Sequence, residues 1–403
     1  MEIICDLHVH SKYARGCSPR MGIREMAREA KIKGIHLMGT GDFTHPQYLE
    51  EIKKECEESD NGLLLCDNTC FVPTVEINNT FEQPAGKKRR IHTLIVMPSL
   101  QEAEQFNEFI SKKSKLGVDG RPWVRMSLAE TAEECYSISK KSLLIPAHAW
   151  TPWYGIFGAK GGFDSLADAF EGAEKYVHAI ETGLSSDPQM NWRCSWLDKV
   201  SLVSFSDAHS PQKLGREATV VEGEEISYNA LFDAIAKKGN GNLKKTIEFF
   251  PQEGKYYSDG CRNCLLRSTP AQTKKYGGRC PKCNKKITKG VLGRIDELAD
   301  REEGEKPKGA PAYESIVPLK EIISMAIGKG VATASVEQVY LKLIKEFGNE
   351  FFVLLNADIE KIKKIKYEKK DYLEAVANAI FRMRKGELII EPGYDGKFGV
   401  VGL

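Results

Sequence analysis

The sequence predicts an α/β protein: a seven-stranded parallel βα barrel over residues 1–236, then a four-cysteine zinc ribbon, then a helical C-terminal region. Three observations carry this. Residues 1–236 alternate β-rich runs with amphipathic helical runs, seven pairs in all. Six of the eight histidines and a series of carboxylates sit at or just past the ends of those β-rich runs. Two CxxC pairs, Cys261/Cys264 and Cys280/Cys283, lie fifteen residues apart in a strongly basic stretch.

The elements follow in order. IICDLHVH ends in His8 and His10, and MGIREMAREAKIKG reads as a helix closed by Gly34. GIHLMGTGD ends in Asp42, with His45 in the same loop, before the helical HPQYLEEIKKECEES. FVPTVEIN ends in Glu76, and His92 opens the strand of RIHTLIVMP. Ser99 is placed to cap the next helix, and Ser127 with Glu130 has capping-box spacing. SLLIPAHAW ends in His148, AIETGL carries Glu181, and LVSFSDAH finishes with Asp207 and His209. Further helices are expected near 164–177, 187–199 and 228–238, with Trp192 and Trp196 on one core-facing side. His36 and His178 fall before or early in strands and suit packing. An open doubly wound sheet is the alternative, but ligands from nearly every strand favour closure, which brings strand ends around one centre.

Composition sets outer bounds. A chain of 403 residues, 41% hydrophobic and 28% charged, is ordinary for a globular protein of two or three domains. The expected division is 1–236, 237–295 and 296–403. No apolar run of about 18 residues suggests a membrane span, and no export signal is legible, so a cytoplasmic, nucleoid-associated location is expected. Eleven cysteines, an odd number, fit reduced thiols or metal ligands better than a disulfide framework. The net charge of +2 conceals an asymmetry: residues 237–294 hold fifteen Lys or Arg against three acids, a local +12 that leaves −10 elsewhere. A polyanion such as nucleic acid is the matching partner; a solvated lysine-rich surface is the alternative.

His8 and His10 point the same way from one strand, because side chains alternate with period two, and Asp207 with His209 repeats the geometry. Adjacent first and last strands would bring these pairs together. Glu76 has two oxygens with which to bridge two ions, the usual apparatus for displacement at phosphorus. Histidines and carboxylates suit an open catalytic site, whereas the four cysteines suit a closed structural zinc site. Glu181 is either a ligand, an orienting partner of a histidine, or a rim ion pair. Cys17 stands near enough to the HxH loop to be a further ligand. The loop after His148 holds Trp150, Trp153, Tyr154 and Phe157 among glycines and reads as a substrate loop whose rings could stack on an unpaired base. Arg262, Arg267, Lys274, Lys275 and Arg279 of the ribbon suit phosphate contacts.

These motifs resemble the PHP (polymerase and histidinol phosphatase) family over residues 1–236. The resemblance implies a distorted (βα)7 barrel with two or three metals, Zn, Mg or Mn, on His8, His10, Glu76, His92, His148, Asp207 and His209. The family's acid or histidine about six residues after HxH is replaced by Arg15-Gly16-Cys17, which removes the usual support for a third metal. Its Asp-His after the second strand is spread here over Asp42-Phe43-Thr44-His45, leaving either residue as the ligand. The order of barrel, ribbon and helical region, with the phrases DLHVHSKYARG, GTGDFTHP, HAWTPWYGIFG and SDAHSPQKLGRE, is similar to the endonuclease Q family of DNA-repair nucleases. That implies hydrolysis of the phosphodiester 5′ to a deaminated base (uracil, hypoxanthine, xanthine) or an abasic site in double-stranded DNA. Some members also engage the sliding clamp through a C-terminal tail, for which no motif follows Glu391. A PHP-type small-molecule phosphoesterase is the alternative, and a non-catalytic DNA-binding protein on a relic barrel a third; the basic ribbon argues for DNA over a metabolite.

Overall fold

The computed structural model describes residues 1–59, 61–83, 86–238 and 241–403. Its N-terminal part runs β1 (Glu2–Asp6), α1 (Ile23–Lys33), β2 (Leu37–Gly39), α2 (Pro46–Glu55), β3 (Glu57–Glu58), β4 (Leu64–Cys66), β5 (Thr69–Val72), β6 (Thr74–Glu82) and β7 (Lys88–Val96). It continues with α3 (Leu100–Ser111), β8 (Trp123–Val124), α4 (Leu128–Ile138), β9 (Leu143–Pro146), α5 (Leu166–Phe170), β10 (Ala179–Glu181), α6 (Pro188–Trp192) and β11 (Ser201–Val203). Then come β12 (Ala218–Glu222), α7 (Tyr228–Ile235), β13 (Asn242–Glu248), the hairpin β14 (Asp259–Cys261) and β15 (Leu266–Ser268), α8 (Pro270–Lys275), α9 (Val291–Leu298) and β16 (Ala312–Ser315). Last are α10 (Leu319–Ile327), α11 (Ala334–Phe347), α12 (Ile359–Lys364), α13 (Lys370–Arg384), β17 (Ile389–Glu391) and β18 (Val400–Gly402).

The strands form a mixed α/β arrangement of hydrogen-bonded arcs. One sheet has the order β16-β13-β12-β1-β2-β5-β4-β3, a second β8-β6-β7-β9, and β10 pairs with β11. β9 packs beside β10, and a parallel bridge between Val9 and Ala208 returns the segment after β11 to the segment after β1. The expectation of uniformly parallel strands is corrected: β1–β2–β5 and β10–β11 run parallel, but β6–β7 and β7–β9 are antiparallel. Only residues 83–87 connect β6 to β7, and a parallel crossover needs a dozen or more. FVPTVEIN is likewise two strands, broken at Pro73, which has no N–H to give a ladder. Glu76 therefore lies near the start of β6 and His92 in the middle of β7, where it is the register partner of Asn78.

Helix ends follow local chemistry. Gly34 closes α1 at φ 89°, Ser99 accepts from the Glu102 N–H, and Ser127 with Glu130 forms a full capping box. Trp192 and Trp196 do not share a helix, because the backbone is extended at Cys194, between α6 and a 3₁₀ turn at Ser195–Leu197. Among the described residues, no helix is long and apolar enough to cross a membrane.

The helical region docks on α1 through one buried polar knot. Lys33 Nζ donates to Glu350 Oε2 at 2.7 Å, the Tyr340 hydroxyl donates to the same oxygen at 2.8 Å, and the Leu319 N–H donates to Oε1 at 2.9 Å. Burial pushes the Glu350 carboxyl up, but Lys33 and these donors outweigh it and hold it below its usual value. Glu350→Ala leaves the buried Lys33 without its carboxylate, with only the Gln212 carbonyl at 3.4 Å, and should lower unfolding free energy by about 3–5 kcal/mol in denaturant titrations. Because the folded pKa is depressed, this contribution is complete above pH 4.5, the ordinary value, and is lost as pH falls below it. The gap between wild type and Glu350→Ala should therefore narrow in acid; a constant gap would refute the linkage.

Candidate metal centre and thiol cluster

Six of the ten rim residues expected as ligands converge in two groups. His8, His10, Glu76 and Asp207 have donor atoms within 4.8 Å of one another, and so do Glu76, His92 and His148. Glu76 belongs to both. Its Oε2 lies 3.7 Å from His8 Nε2 and 3.3 Å from His10 Nε2, while its Oε1 lies 2.6 Å from His92 Nδ1 and 3.1 Å from His148 Nε2. Asp207 Oδ1 sits 3.2 Å from His10 Nε2 and 3.7 Å from His8 Nε2.

Two carboxylates stand behind the histidines. Glu181 takes both oxygens to His8 Nδ1, at 2.9 and 3.0 Å, and accepts the His148 N–H at 2.6 Å. Asp42 lies 3.1 Å from His10 Nδ1 and accepts the Ser11 N–H and hydroxyl at 2.6 and 2.7 Å. Each holds one imidazole by Nδ1 so that Nε2 faces the centre, the orienting role open for Glu181 in the sequence. His45 and His209 lie outside both groups. His45 precedes α2 and stacks on Tyr13 at 4.4 Å; His209 lies over His10 at 4.6 Å, with Nδ1 2.9 Å from the Asp207 carbonyl.

The donor set fits metal cations. Among the described residues, His8 Nε2, His10 Nε2 and Asp207 Oδ1 are buried side-chain atoms with no hydrogen-bond partner. Four carboxylates (Asp42, Glu76, Glu181 and Asp207) stand at the rim, where Arg121 Nη1 donates to Glu76 Oε2 at 3.1 Å. Burial pushes the Glu76 carboxyl up, but His92, His10, His148 and His8 outweigh it and hold it well below the carboxylate range. Burial also raises Asp207, and His8 with His10 bring it down again. Arg121, between Gly120 and Pro122, was not singled out in the sequence.

The backbone is contorted at this rim. Asp42, His148 and Asp207 adopt φ of 44°, 31° and 46°, in the left-handed region that disfavours side chains. Neighbouring chain passes very close: a Cβ on Gly120 would meet Asp42 Oδ2 at 2.5 Å, and one on Gly183 would meet His148 Cβ at 2.6 Å. Asp6 accepts the Ser206 and Gly215 N–H groups at 2.9 Å each, and Arg216 donates to the Ser206 and Asp207 carbonyls. The loop that presents Asp207 is thus gripped from both sides.

A cavity of about 640 Å³ adjoins the rim, touching His92, Arg121, His148 and Asp207. The aromatic loop divides there. Trp153 (43% exposed) and Tyr154 (36%) line it together with Tyr256 and Phe398; Trp153 meets the Tyr256 ring edge-on at 4.9 Å, and Tyr154 stacks on His92 at 4.5 Å. Trp150 and Phe157 are fully buried, which corrects their assignment as substrate contacts: Trp150 donates to Asn191 Oδ1 at 2.7 Å and packs on Phe157. Arg294 of α9 ties the loop down, donating to the Phe157 and Phe163 carbonyls at 3.0 Å each.

Cys261, Cys264, Cys280 and Cys283 form the second cluster, on β14, the turns after it and the knuckle after α8. Gly277 and Gly278, at φ 59° and 71°, make the tight turn into the second CxxC. Burial pushes the Cys280 thiol up, but the Lys282 and Cys283 N–H groups outweigh it and bring it to about 7, so a thiolate is ready for a cation. The ribbon cations Arg262, Arg267, Lys274, Lys275 and Arg279 are exposed, although Lys274 is paired with Asp296 at 2.7 Å.

The whole chain is similar to solved structures. The lesion-specific endonuclease PfuEndoQ from Pyrococcus furiosus superposes with a TM-score of 0.89 at 33% identity, covering 100% of this chain and 96% of that one. A structure of endonuclease Q in complex with a 27-mer duplex bearing an abasic lesion at the active site gives 0.87 at 33% identity, covering 100% and 97%. Residues 318–387 match the family model described as the MJ0043 C-terminal domain. An uncharacterized Methanocaldococcus jannaschii protein, MJ0043, is 37% identical over 258 residues, 63% of this chain, which spans 31% of that protein. The uncharacterized Bacillus subtilis protein YqxK is 28% identical over 99% of both chains.

Cys280→Ser removes one of the four thiols. If the thiols hold an ion, metal analysis of the purified variant should show one fewer metal equivalent per chain, with a lower thermal midpoint. Unchanged metal content and midpoint would show that the thiols hold no ion.

Proposed function

This chain belongs to the endonuclease Q family, and we propose that it is a metal-dependent DNA-repair endonuclease that hydrolyses the phosphodiester 5′ to a deaminated base or an abasic site. The likeness to endonuclease Q structures supports a lesion-specific nuclease acting on duplex DNA. The observation that carries the metal-dependent reading is the division of Glu76 between two donor groups, with three buried atoms around it lacking partners. We assign one divalent ion to His8, His10, Glu76 and Asp207, and a second to Glu76, His92 and His148. The strand arcs are read as a distorted PHP barrel whose rim is this centre, and the thiol cluster as a structural zinc site. When bound, such a pair of ions lowers the pKa of water and neutralises charge on the phosphoryl group.

The chain's own residues do the rest. Glu181 and Asp42 fix the ring orientation of His8 and His10 before substrate arrives. Arg121, its side chain 25% exposed, is placed to meet a phosphate oxygen beside Glu76. The cavity lined by Trp153, Tyr154, Tyr256 and Phe398 borders the same rim, so a nucleotide turned out of the duplex can enter it while its phosphate stays at the centre. Unstacking is least expensive for a mispaired or missing base, which favours lesions over intact pairs. The ribbon supplies exposed cations, as expected for phosphate contacts.

His10→Ala and Asp207→Ala should each abolish nicking of a duplex containing one uracil, hypoxanthine or abasic site in Mg²⁺, Mn²⁺ or Zn²⁺, while DNA binding persists. Unchanged nicking in both variants would refute the site assignment. Turnover of a free phosphomonoester far above DNA nicking would favour a small-molecule phosphoesterase instead.

A further inference from the structure

A second cleft, about 780 Å³, lies beside β8 and shares no lining residue with the aromatic cavity. Its wall is cationic: Arg15, Lys112, Lys113, Lys115 and Arg125 face it against one acid, Asp119, a net +4. Asp119 is already engaged. It accepts the Arg15 and Arg121 N–H groups at 3.2 Å each, and its other oxygen lies 3.5 Å from Arg15 Nε. Lys112, Lys113, Lys115 and Arg125 are all exposed, and among the described residues none forms an ion pair. Like charges gathered in one concavity repel unless an anion lies among them. Trp123, half exposed in the same cleft, carries the Arg90 guanidinium over its ring at 5.1 Å.

The cleft is built on the strand that carries the bridging carboxylate. Trp123 is the register partner of Asn78 on β6, two residues beyond Glu76, and the Asn78 N–H donates to the Pro122 carbonyl at 2.9 Å. Arg121, two residues before Trp123, donates to Glu76 itself. The distance in chain from the metal centre to the cleft wall is therefore a few residues of rigid backbone. A polyanion whose phosphate meets Arg121 has four further cations along its path.

We propose that this cleft is a second DNA subsite, holding the backbone that flanks the scissile bond: the three lysines and Arg125 meet successive phosphates, and the Trp123 ring lies against a base or sugar. The inference rests on the endonuclease reading above and adds a contact surface apart from the ribbon. It also accounts for an aromatic ring among lysines, the combination that single-strand-binding grooves use to combine stacking with charge neutralisation.

The test uses the full chain with Lys112→Ala, Lys113→Ala and Lys115→Ala combined, and an abasic-site duplex with arms of different length on each side of the lesion. Each phosphate contact contributes about 0.9 to the slope of log affinity against log salt, so the triple variant should lose about 2.7 of that slope. The triple Lys→Arg variant should keep it, and Trp123→Ala should weaken binding roughly ten-fold. Shortening one arm should weaken wild type but leave the triple alanine variant nearly unaffected. An unchanged salt slope overturns the proposal. So does a lower thermal midpoint with an unchanged slope, which would make the lysines only a complement to the C-terminal end of α3. Wild type that nicks lesion DNA beside a variant of equal slope sinks the cleft alone; wild type that neither binds nor nicks sinks the endonuclease reading with it.

Discussion

A buried carboxylate is expensive unless cationic or donor groups surround it, and Glu76 is surrounded on both oxygens. His8, His10 and Arg121 address Oε2, and His92 and His148 address Oε1. Much of the rim serves that division. The β6–β7 hairpin places Glu76 and His92 on neighbouring strands, Glu181 aims His8 and grips the His148 backbone, and Asp42 aims His10. Remove Glu76 and five groups lose their common partner.

The modules attach to this rim rather than hang from it. Arg294, on the helix that follows the thiol cluster, holds the ends of the aromatic loop by two carbonyls, and Val291 of the same helix contributes to the cavity wall. Phe398, near the C-terminal β17–β18 hairpin, closes another side. The Lys33–Glu350 knot seats the helical region on α1, whose preceding loop follows His10. The aromatic cavity and the accessory modules are therefore packed together, and late parts of the chain line the cavity beside residues supplied by the early parts.

Much of this was legible in the sequence, for reasons that differ by element. Caps at Gly34, Ser99 and Ser127 were readable because they depend on residues within a turn of the helix end. HxH and DxH were readable because period two is intrinsic to a strand. Strand direction was not: the antiparallel β6–β7–β9 run depends on the brevity of residues 83–87, which resemble other polar connections. Nor did a strand-end pattern separate atoms facing the centre from those behind it, so Asp42 and Glu181 looked like His10 and Asp207. Trp150 and Phe157 shared a glycine-rich loop with Trp153 and Tyr154, and only packing decides which rings turn inward. Arg121 has no periodic or motif signal at all, since its partner lies 45 residues away in sequence.

Asp42, His148 and Asp207 share one further property, their left-handed backbone. A non-glycine residue held there costs on the order of 1–2 kcal/mol, and surrounding structure must enforce it. Glycine at any of the three would relax the chain while deleting the side chain that the geometry exists to present. Selection for stability and selection for activity thus pull these positions in opposite directions. A lineage released from the need for catalysis should drift to glycine or asparagine there first, leaving a sturdier protein with a silent rim.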